Sequence, residues 1–306
     1  MSRPALALAR TTVWRSYLAL TKPRVVALIS FTAIVGTLLA SPGWPPIDAL
    51  IWGNCGIILA AACAATLNHV FDQQIDQKMA RTRGRPLPRG ELTQSQALTF
   101  ALVLGITAMI ILAARVNLLT AVLTFASLIG YSVIYTLWLK RATSQNIVIG
   151  GTAGAAPPVL GWIAVTNHID PNALVLFLII FLWTPPHFWS LAIARRNEYA
   201  RAGVPMLPVT HGVEHTQTQI LLYTVALSLV TLIPFFTRMS GLLYLASTLF
   251  LDGLFLYHAI MLKRNARPGA PMRVFKYSVT YLMWLFAALL TDHYLSSAQI
   301  APFGFR

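Results

Sequence analysis

Asn68, Asp72 and Asp76 stand four residues apart at the start of a stretch that runs to Gly90. On a helix each step of four returns to nearly the same face, about 6 Å further along. The spacing therefore predicts one stripe of three oxygen-bearing side chains. Two carboxylates on such a stripe repel unless a cation sits between them. An all-oxygen set favours a hard ion, and Mg²⁺ typically takes one or two carboxylates together with substrate phosphates. Lys78, Arg81, Arg83, Arg85 and Arg89 follow at once, and their donors suit diphosphate oxygens. An acidic stripe ahead of a basic cluster is what a metal–diphosphate site needs. A solvated helix at a membrane edge, followed by a basic loop, is the plainer alternative that these residues leave open.

The elements that must position this stripe are apolar. Of 306 residues, 57% are hydrophobic and 10% charged, whereas a soluble domain is about 25% charged. Disorder is excluded by the same figures, and the scattered Gly and Pro fit neither collagen nor a low-complexity linker. A bilayer span needs about 20 mainly apolar residues. That window predicts nine spans, at 24–41, 48–69, 95–114, 117–138, 146–165, 172–194, 219–237, 241–262 and 274–297. The expected fold is all-α: a polytopic membrane helical bundle in a single domain over residues 1–306. Its central cavity would open near the cytoplasmic side. The third and fourth spans are separated by little more than Arg115-Val116-Asn117 and should form a tight hairpin.

The formal charge of +14 is a topology signal, because Lys and Arg concentrate in cytoplasmic connections. Arg3, Arg10, Arg15, Lys22 and Arg24 lie at the N-terminal side, and the basic cluster above lies at 70–94. Lys140 and Arg141 follow the fourth span, and Arg195, Arg196 and Arg201 follow the sixth. Lys263, Arg264, Arg267, Arg273 and Lys276 precede the ninth. Twenty basic residues thus share one side, leaving Arg115, Arg238 and Arg306 on the other. The pattern predicts a cytoplasmic N-terminal segment (1–23), an external C-terminus and no need for a nucleic-acid partner. The short N-terminal segment, with no cleavable signal evident, points to a bacterial inner membrane. Two long connections, 70–94 and 195–218, both face the cytoplasm, and long loops in compact proteins are usually functional. Each carries a Leu-Pro element (Pro86-Leu87-Pro88; Met206-Leu207-Pro208), an echo of the kind internal duplication leaves.

Other residues read mainly as structure. Cys55 and Cys63 sit in an apolar run without metal-ligand spacing. Pro157-Pro158 and Pro185-Pro186 should interrupt the fifth and sixth spans, and Gly150 and Gly154 form a small-xxx-small face. Asp252 lies mid-span, where an ionisable side chain is a functional candidate by default; protonation or a hydrogen-bonded neighbour is the alternative. His69 points off the stripe, His211 and His215 read as a solvated pair, His168 and His293 flank outer ends, and His258 reads as packing.

The stretch from Asn68 resembles the first diphosphate-binding motif of the UbiA-type intramembrane prenyltransferases, and among them the branch that farnesylates heme. The resemblance rests also on Thr21-Lys22-Pro23-Arg24-Val25, Arg81-Thr82-x2-Arg85-Pro86-Leu87 and Tyr135 through Lys140-Arg141. Pro186-His187-Phe188 and Ala202-Gly203-Val204-Pro205-Met206-Leu207-Pro208 complete it. Together these cover residues 21 to 208 in order, about two-thirds of the chain. The resemblance implies that Asn68, Asp72 and Asp76 hold Mg²⁺ bridging to farnesyl diphosphate. Lys78, Arg81, Arg85, Tyr135, Lys140, Arg141, Glu198 and Tyr199 would bind the diphosphate, with Asp72, Asp76, Lys140 and Arg85 catalytic. Family members usually carry a second acidic motif with Asp before a Tyr. Here it reads Asn197-Glu198-Tyr199, which puts a full second metal site in doubt.

By the same resemblance, the acceptor is a vinyl group of heme B, with water added to give heme O. Imidazole can ligate heme iron, and His187 has aromatic neighbours suited to a porphyrin; a buried, hydrogen-bonded histidine is the alternative. Membrane lipid, heme A synthase and terminal-oxidase assembly factors are the implied surroundings. Two other functions stay open: a prenyltransferase of the same fold acting on an aromatic acid or quinone precursor, and a secondary transporter with broken helices.

Overall fold

The computed structural model describes residues 13–265 and 268–300, with side chains for all but Arg141 and 296–300. Arg3, Arg10, Arg267, Arg306 and the Arg141 side chain, invoked above, therefore lie outside the described part. A bent pair opens the chain, α1 (Val13–Leu20) and α2 (Pro23–Leu39), at 49° to one another. Then come α3 (Ala49–Phe71), the short α4 (Gln73–Lys78), α5 (Gln94–Arg115) and α6 (Leu118–Leu139). These are followed by α7 (Asn146–Thr166), α8 (Pro171–Ala194) and the short α9 (Arg196–Arg201). The last three are α10 (Gly212–Phe236), α11 (Leu242–Lys263) and α12 (Ala270–Leu295). Among the described residues eight helices are long and apolar enough to span a bilayer, or nine with the bent pair taken as one. The chain is a multi-pass membrane protein.

Two sets of neighbours build the bundle. In the N-terminal half α3 packs on α5 and α2 crosses α7; in the C-terminal half α8 packs on α10 and α12, and α11 on α12. The α2–α7 crossing depends on glycine. A Cβ at Gly36 would lie 2.1 Å from the Pro158 carbonyl oxygen, and one at Gly161 2.1 Å from that of Ala33. Large apolar side chains point outward on α5 (Leu102, Ile106, Ile110) and α6 (Val122, Phe125). In a bilayer this outward apolar face is the expected state.

Several expectations need correction. The helix through Pro185-Pro186 is continuous from Pro171 to Ala194, so only Pro157 marks a break, after Ala155. The small-xxx-small face fails at its second member: Gly154 has nothing within 4 Å, whereas Gly150 lies under the Tyr135 ring, 2.4 Å from where a Cβ would stand. The connection 195–218 is largely helical, because α10 begins at Gly212, whose φ of 84° turns the chain into it. His211 and His215 are an exposed pair with ring centroids 5.4 Å apart, as read from the sequence.

Asp252 is not an open site. Its Oδ1 accepts from the Tyr281 hydroxyl (2.6 Å) and its Oδ2 from Thr231 (2.8 Å). It ties α10, α11 and α12 together in the buried interior.

Candidate active site

The stripe forms, though across a break. Helix α3 ends at Phe71, Asp72 takes φ −89° and ψ 0°, and α4 resumes at Gln73. Backbone hydrogen bonds from Asp72 N to Asn68 O (3.0 Å) and from Asp76 N to Asp72 O (2.8 Å) preserve the four-residue register. All three side chains are buried, at 4%, 2% and 3% exposure for Asn68, Asp72 and Asp76. A solvated juxtamembrane stripe is thereby excluded.

Each carboxylate has its own cation. Lys140 Nζ lies 2.5 Å from Asp72 Oδ2, and Arg85 Nη1 lies 2.7 Å from Asp76 Oδ2. Asn68 Nδ2 donates to Asp72 Oδ2 (2.8 Å) and to Thr136 Oγ1 (3.3 Å), while its Oδ1 accepts from Lys22 Nζ. Three basic side chains thus face two carboxylates. Burial pushes the Asp76 carboxyl above its ordinary range, against the pull of Arg85.

Local structure explains how distant cations arrive here. From Gly130 to Leu139 the helix is wound as a π-helix, a winding with i→i+5 bonds that recurs at functional sites. Thr136 Oγ1 donates to Tyr131 O at 2.8 Å, five residues back. Tyr135 and Lys140 are likewise five apart, so this winding brings them toward one face. The Tyr135 ring stacks on Tyr131, centroids 5.4 Å apart, and rests on Gly150. Lys22 arrives by another route. It sits at the bend between α1 and α2 with φ 51°, just before Pro23 at the first position of α2. A positive φ is uncommon for a residue with a Cβ, and here it turns the lysine toward Asn68.

The loop after α4 divides its basic residues. Arg85 joins the stripe, while Arg81 approaches α9, where its charge acts on both Glu198 and Tyr199. Lys78 and Arg83 are exposed, and Arg89 pairs with Glu91 at 3.2 Å, so the structure does not bring Lys78 into the stripe. Glu198 pairs with Arg195 (2.6 Å), a hydrogen bond that holds its carboxyl below the ordinary range. Its Oε2 is buried and unpartnered. Tyr199 is buried, which raises its phenol.

A divalent ion fits the stripe. Asp72 Oδ1 is buried with no hydrogen-bond partner, a costly state for a carboxylate oxygen. Every potential ligand is oxygen, and the Asn68 amide oxygen keeps a second lone pair beside Lys22. Among the described residues no three His, Cys, Asp or Glu side chains gather. The protein offers two carboxylates and an amide, so an ion held there must complete its shell from elsewhere, as Mg²⁺ does with phosphate oxygens.

The sequence reading missed Lys22, Thr136, Tyr131 and His69 as site neighbours. Lys22 carried a signal, standing in the Thr21–Val25 segment before a helix-opening proline. His69 is 2% exposed, and both ring nitrogens are buried without partners. His187 lies elsewhere in the bundle core, on α8 and 8% exposed. His168, His258 and His293 are engaged locally: Nδ1 of His168 with Thr166 O (2.9 Å), the His258 ring with Tyr277 (5.0 Å), and Nε2 of His293 with Ser41 O (2.9 Å).

Paired carboxylates, basic partners and an orphaned carboxylate oxygen at one end of a membrane-spanning helical bundle make a setting suited to an anionic substrate and a divalent ion. The chain belongs to the UbiA prenyltransferase family, whose sequence profile matches residues 29–288. It is 60% identical over 282 residues to the protoheme IX farnesyltransferase of Methylococcus capsulatus, covering 92% of this chain and 95% of that one. It is 56% identical over 287 residues to the protoheme IX farnesyltransferase of Saccharophagus degradans, with coverages of 94% and 95%. The fold matches a digeranylgeranylglyceryl phosphate synthase with TM-score 0.78 at 19% identity, over 93% of this chain and 99% of that one. It also matches a UbiA homologue from Archaeoglobus fulgidus bound to DMAPP and Mg²⁺, with TM-score 0.59 at 15% identity, over 90% and 99%.

Proposed function

We propose that this protein transfers the farnesyl group of farnesyl diphosphate to a vinyl group of heme B, with addition of water, giving heme O and diphosphate. The observation that carries the site assignment is the orphaned Asp72 Oδ1 inside a ring of Lys22, Arg85 and Lys140. The identity to protoheme IX farnesyltransferases supports the choice of acceptor over an aromatic acid or quinone precursor. A transporter reading loses its ground, because the stripe lies at the end of α3 and on the short α4 that follows it.

Asn68, Asp72 and Asp76 would hold Mg²⁺, which when bound supplies charge stabilisation for the departing diphosphate. Lys140 and Arg85 hold the carboxylates in place and present positive charge toward the leaving oxygens, with Lys22 anchoring the Asn68 amide. Fixed cations of this kind act where charge develops and need no reorganisation at the moment of reaction. Tyr135, Arg81, Glu198 and Tyr199 would line the diphosphate approach. The buried setting keeps water from the allylic cation until the vinyl carbon meets it. His187 is the residue assigned to heme contact.

The distribution of basic residues supports an orientation with the stripe on the cytoplasmic side and the C-terminus outside, and the membrane in our reading is a bacterial inner membrane. Heme A synthase or terminal-oxidase assembly factors would receive the product. The test is to incubate purified protein with heme B, farnesyl diphosphate and Mg²⁺ and to search for heme O by mass. An alkylated heme is expected. None, with alkylation of a hydroxybenzoate instead, would reject the acceptor; ion-driven uptake into vesicles without diphosphate release would reject the enzyme.

A further inference from the structure

His187 is built into a cage. Its ring stacks on Trp183 (centroids 4.4 Å, planes 17° apart) and on Phe275 (4.6 Å, 26°), with Phe188 edge-on at 4.9 Å. Nδ1 lies 2.7 Å from Ser278 Oγ on α12. The indole N–H of Trp183 donates to the Ser278 backbone oxygen at 2.7 Å, which locks α8 to α12 at the same residue.

The tautomer follows from counting protons. A serine hydroxyl has one donor, and that of Ser278 lies 2.7 Å from Phe275 O, where it donates. Its oxygen must then accept from the imidazole, so Nδ1 carries the proton. Nε2 holds the ring's free lone pair and has no hydrogen-bond partner among the described residues. A histidine with Nδ1–H tied to an oxygen and Nε2 bare is the form that binds metals, and the tying partner sets its orientation and basicity.

We infer that Ser278 is a positioning residue for heme: it fixes the tautomer and plane of His187 so that Nε2 serves as the axial ligand of the substrate's iron. This rests on heme B being the acceptor, as proposed above. The bond formed is a dative one from the Nε2 lone pair to iron, with no change in proton count. Its use would be to fix where the porphyrin edge, and so the vinyl group, stands. Trp183 and Phe275 prevent the ring from turning, which leaves the choice of tautomer to Ser278.

The experiment titrates purified full-length protein with ferric and ferrous heme B, without farnesyl diphosphate, and records absorption, electron paramagnetic resonance and the iron–imidazole Raman band. Wild-type protein should show histidine ligation. His187→Gly should lose it and regain it with added imidazole. Ser278→Ala, checked for intact folding by elution and melting, should weaken heme affinity about 10- to 100-fold, as loss of such an outer partner does, and should shift the iron–imidazole band. Ser278→Thr should keep both. A Ser278→Ala protein with wild-type band and affinity would overturn the inference, as would a wild-type complex without histidine ligation. If that unligated complex still formed heme O, the inference alone would fall. Ligation through His187 without any alkylated heme would sink the proposed activity instead.

Discussion

The two halves of the bundle each bury carboxylates, and they treat them oppositely. In the C-terminal half Asp252 meets only neutral hydroxyls, Tyr281 and Thr231, and both oxygens are satisfied. Asp292 likewise accepts the backbone N–H groups of Gly241 and Tyr244 at the start of α11. Tyr244 in turn donates to Thr231 O at 2.7 Å, closing a network that crosses α10, α11 and α12. In the N-terminal half Asp72 and Asp76 meet cations, and one oxygen of Asp72 is left without a partner. A buried carboxylate with a full set of neutral donors is held for structure. One with cations and an orphaned oxygen is kept for a ligand, since leaving it unpaired costs stability that nothing in the protein recovers.

That contrast can be broken by substitution. Asp72→Asn or Asp76→Asn should lower kcat/KM for heme alkylation by at least about 3 kcal/mol, the scale of losing one catalytic electrostatic group. Steady-state heme O formation measures it, and wild-type turnover in either variant would erase the difference between the halves. Asp252→Ala should do the reverse. It strips the buried Tyr281 hydroxyl of its acceptor, at about 1–3 kcal/mol of stability for a group left unsatisfied, whereas Thr231 keeps Ser228 O at 3.0 Å, and turnover per folded molecule stays near wild type. Thermal melting in detergent beside activity would separate the two effects.

The pH dependence sharpens the same point. Because burial raises the Asp76 carboxyl, protons compete with the metal at a higher pH than they would for an exposed carboxylate. Mg²⁺ affinity should therefore hold above that raised value and fall as pH drops through it, approaching tenfold per pH unit below it. Calorimetric titration of Mg²⁺ with a diphosphate analogue across pH gives the midpoint. One at or below the ordinary aspartate value would contradict the burial argument. The metal-free protein carries the opposite sign: a raised acid contributes stability below its unfolded value and loses it as pH rises through the folded one.

The smallest effect belongs to the half-buried pair that flanks the start of α9. Arg195→Ala releases Glu198 from its 2.6 Å pair and should cost no more than about 1 kcal/mol of stability. A larger change in diphosphate affinity than in melting temperature would show that Glu198 serves the ligand; equal small changes would leave it a surface pair.

Much of this was readable before any coordinates. Nine apolar stretches, the outward apolar faces and the stripe at 68, 72 and 76 all follow from local periodicity, which a chain carries in its own order. The boundaries drifted where local signals were weak: α10 starts at Gly212 because a positive φ opens it, although the polar residues that follow read as loop. Pro185-Pro186 read as a break because proline removes a donor, yet α8 packs on three neighbours and continues through it. Asp252 could not be classed from sequence, since a satisfied and an unsatisfied carboxylate have the same neighbours in the chain.

By itself the sequence determined that the protein crosses a membrane, that its basic residues cluster in alternate connections, and that three oxygen-bearing residues share a helical face. Which cation serves which carboxylate was decided only in three dimensions. Lys140 reaches Asp72 across 68 residues, Lys22 reaches Asn68 across 46, and Ser278 meets His187 across 91. Helical periodicity speaks for a few turns at most, whereas these partners depend on how whole helices cross, through close contacts such as Gly36 on Pro158 and Tyr135 on Gly150.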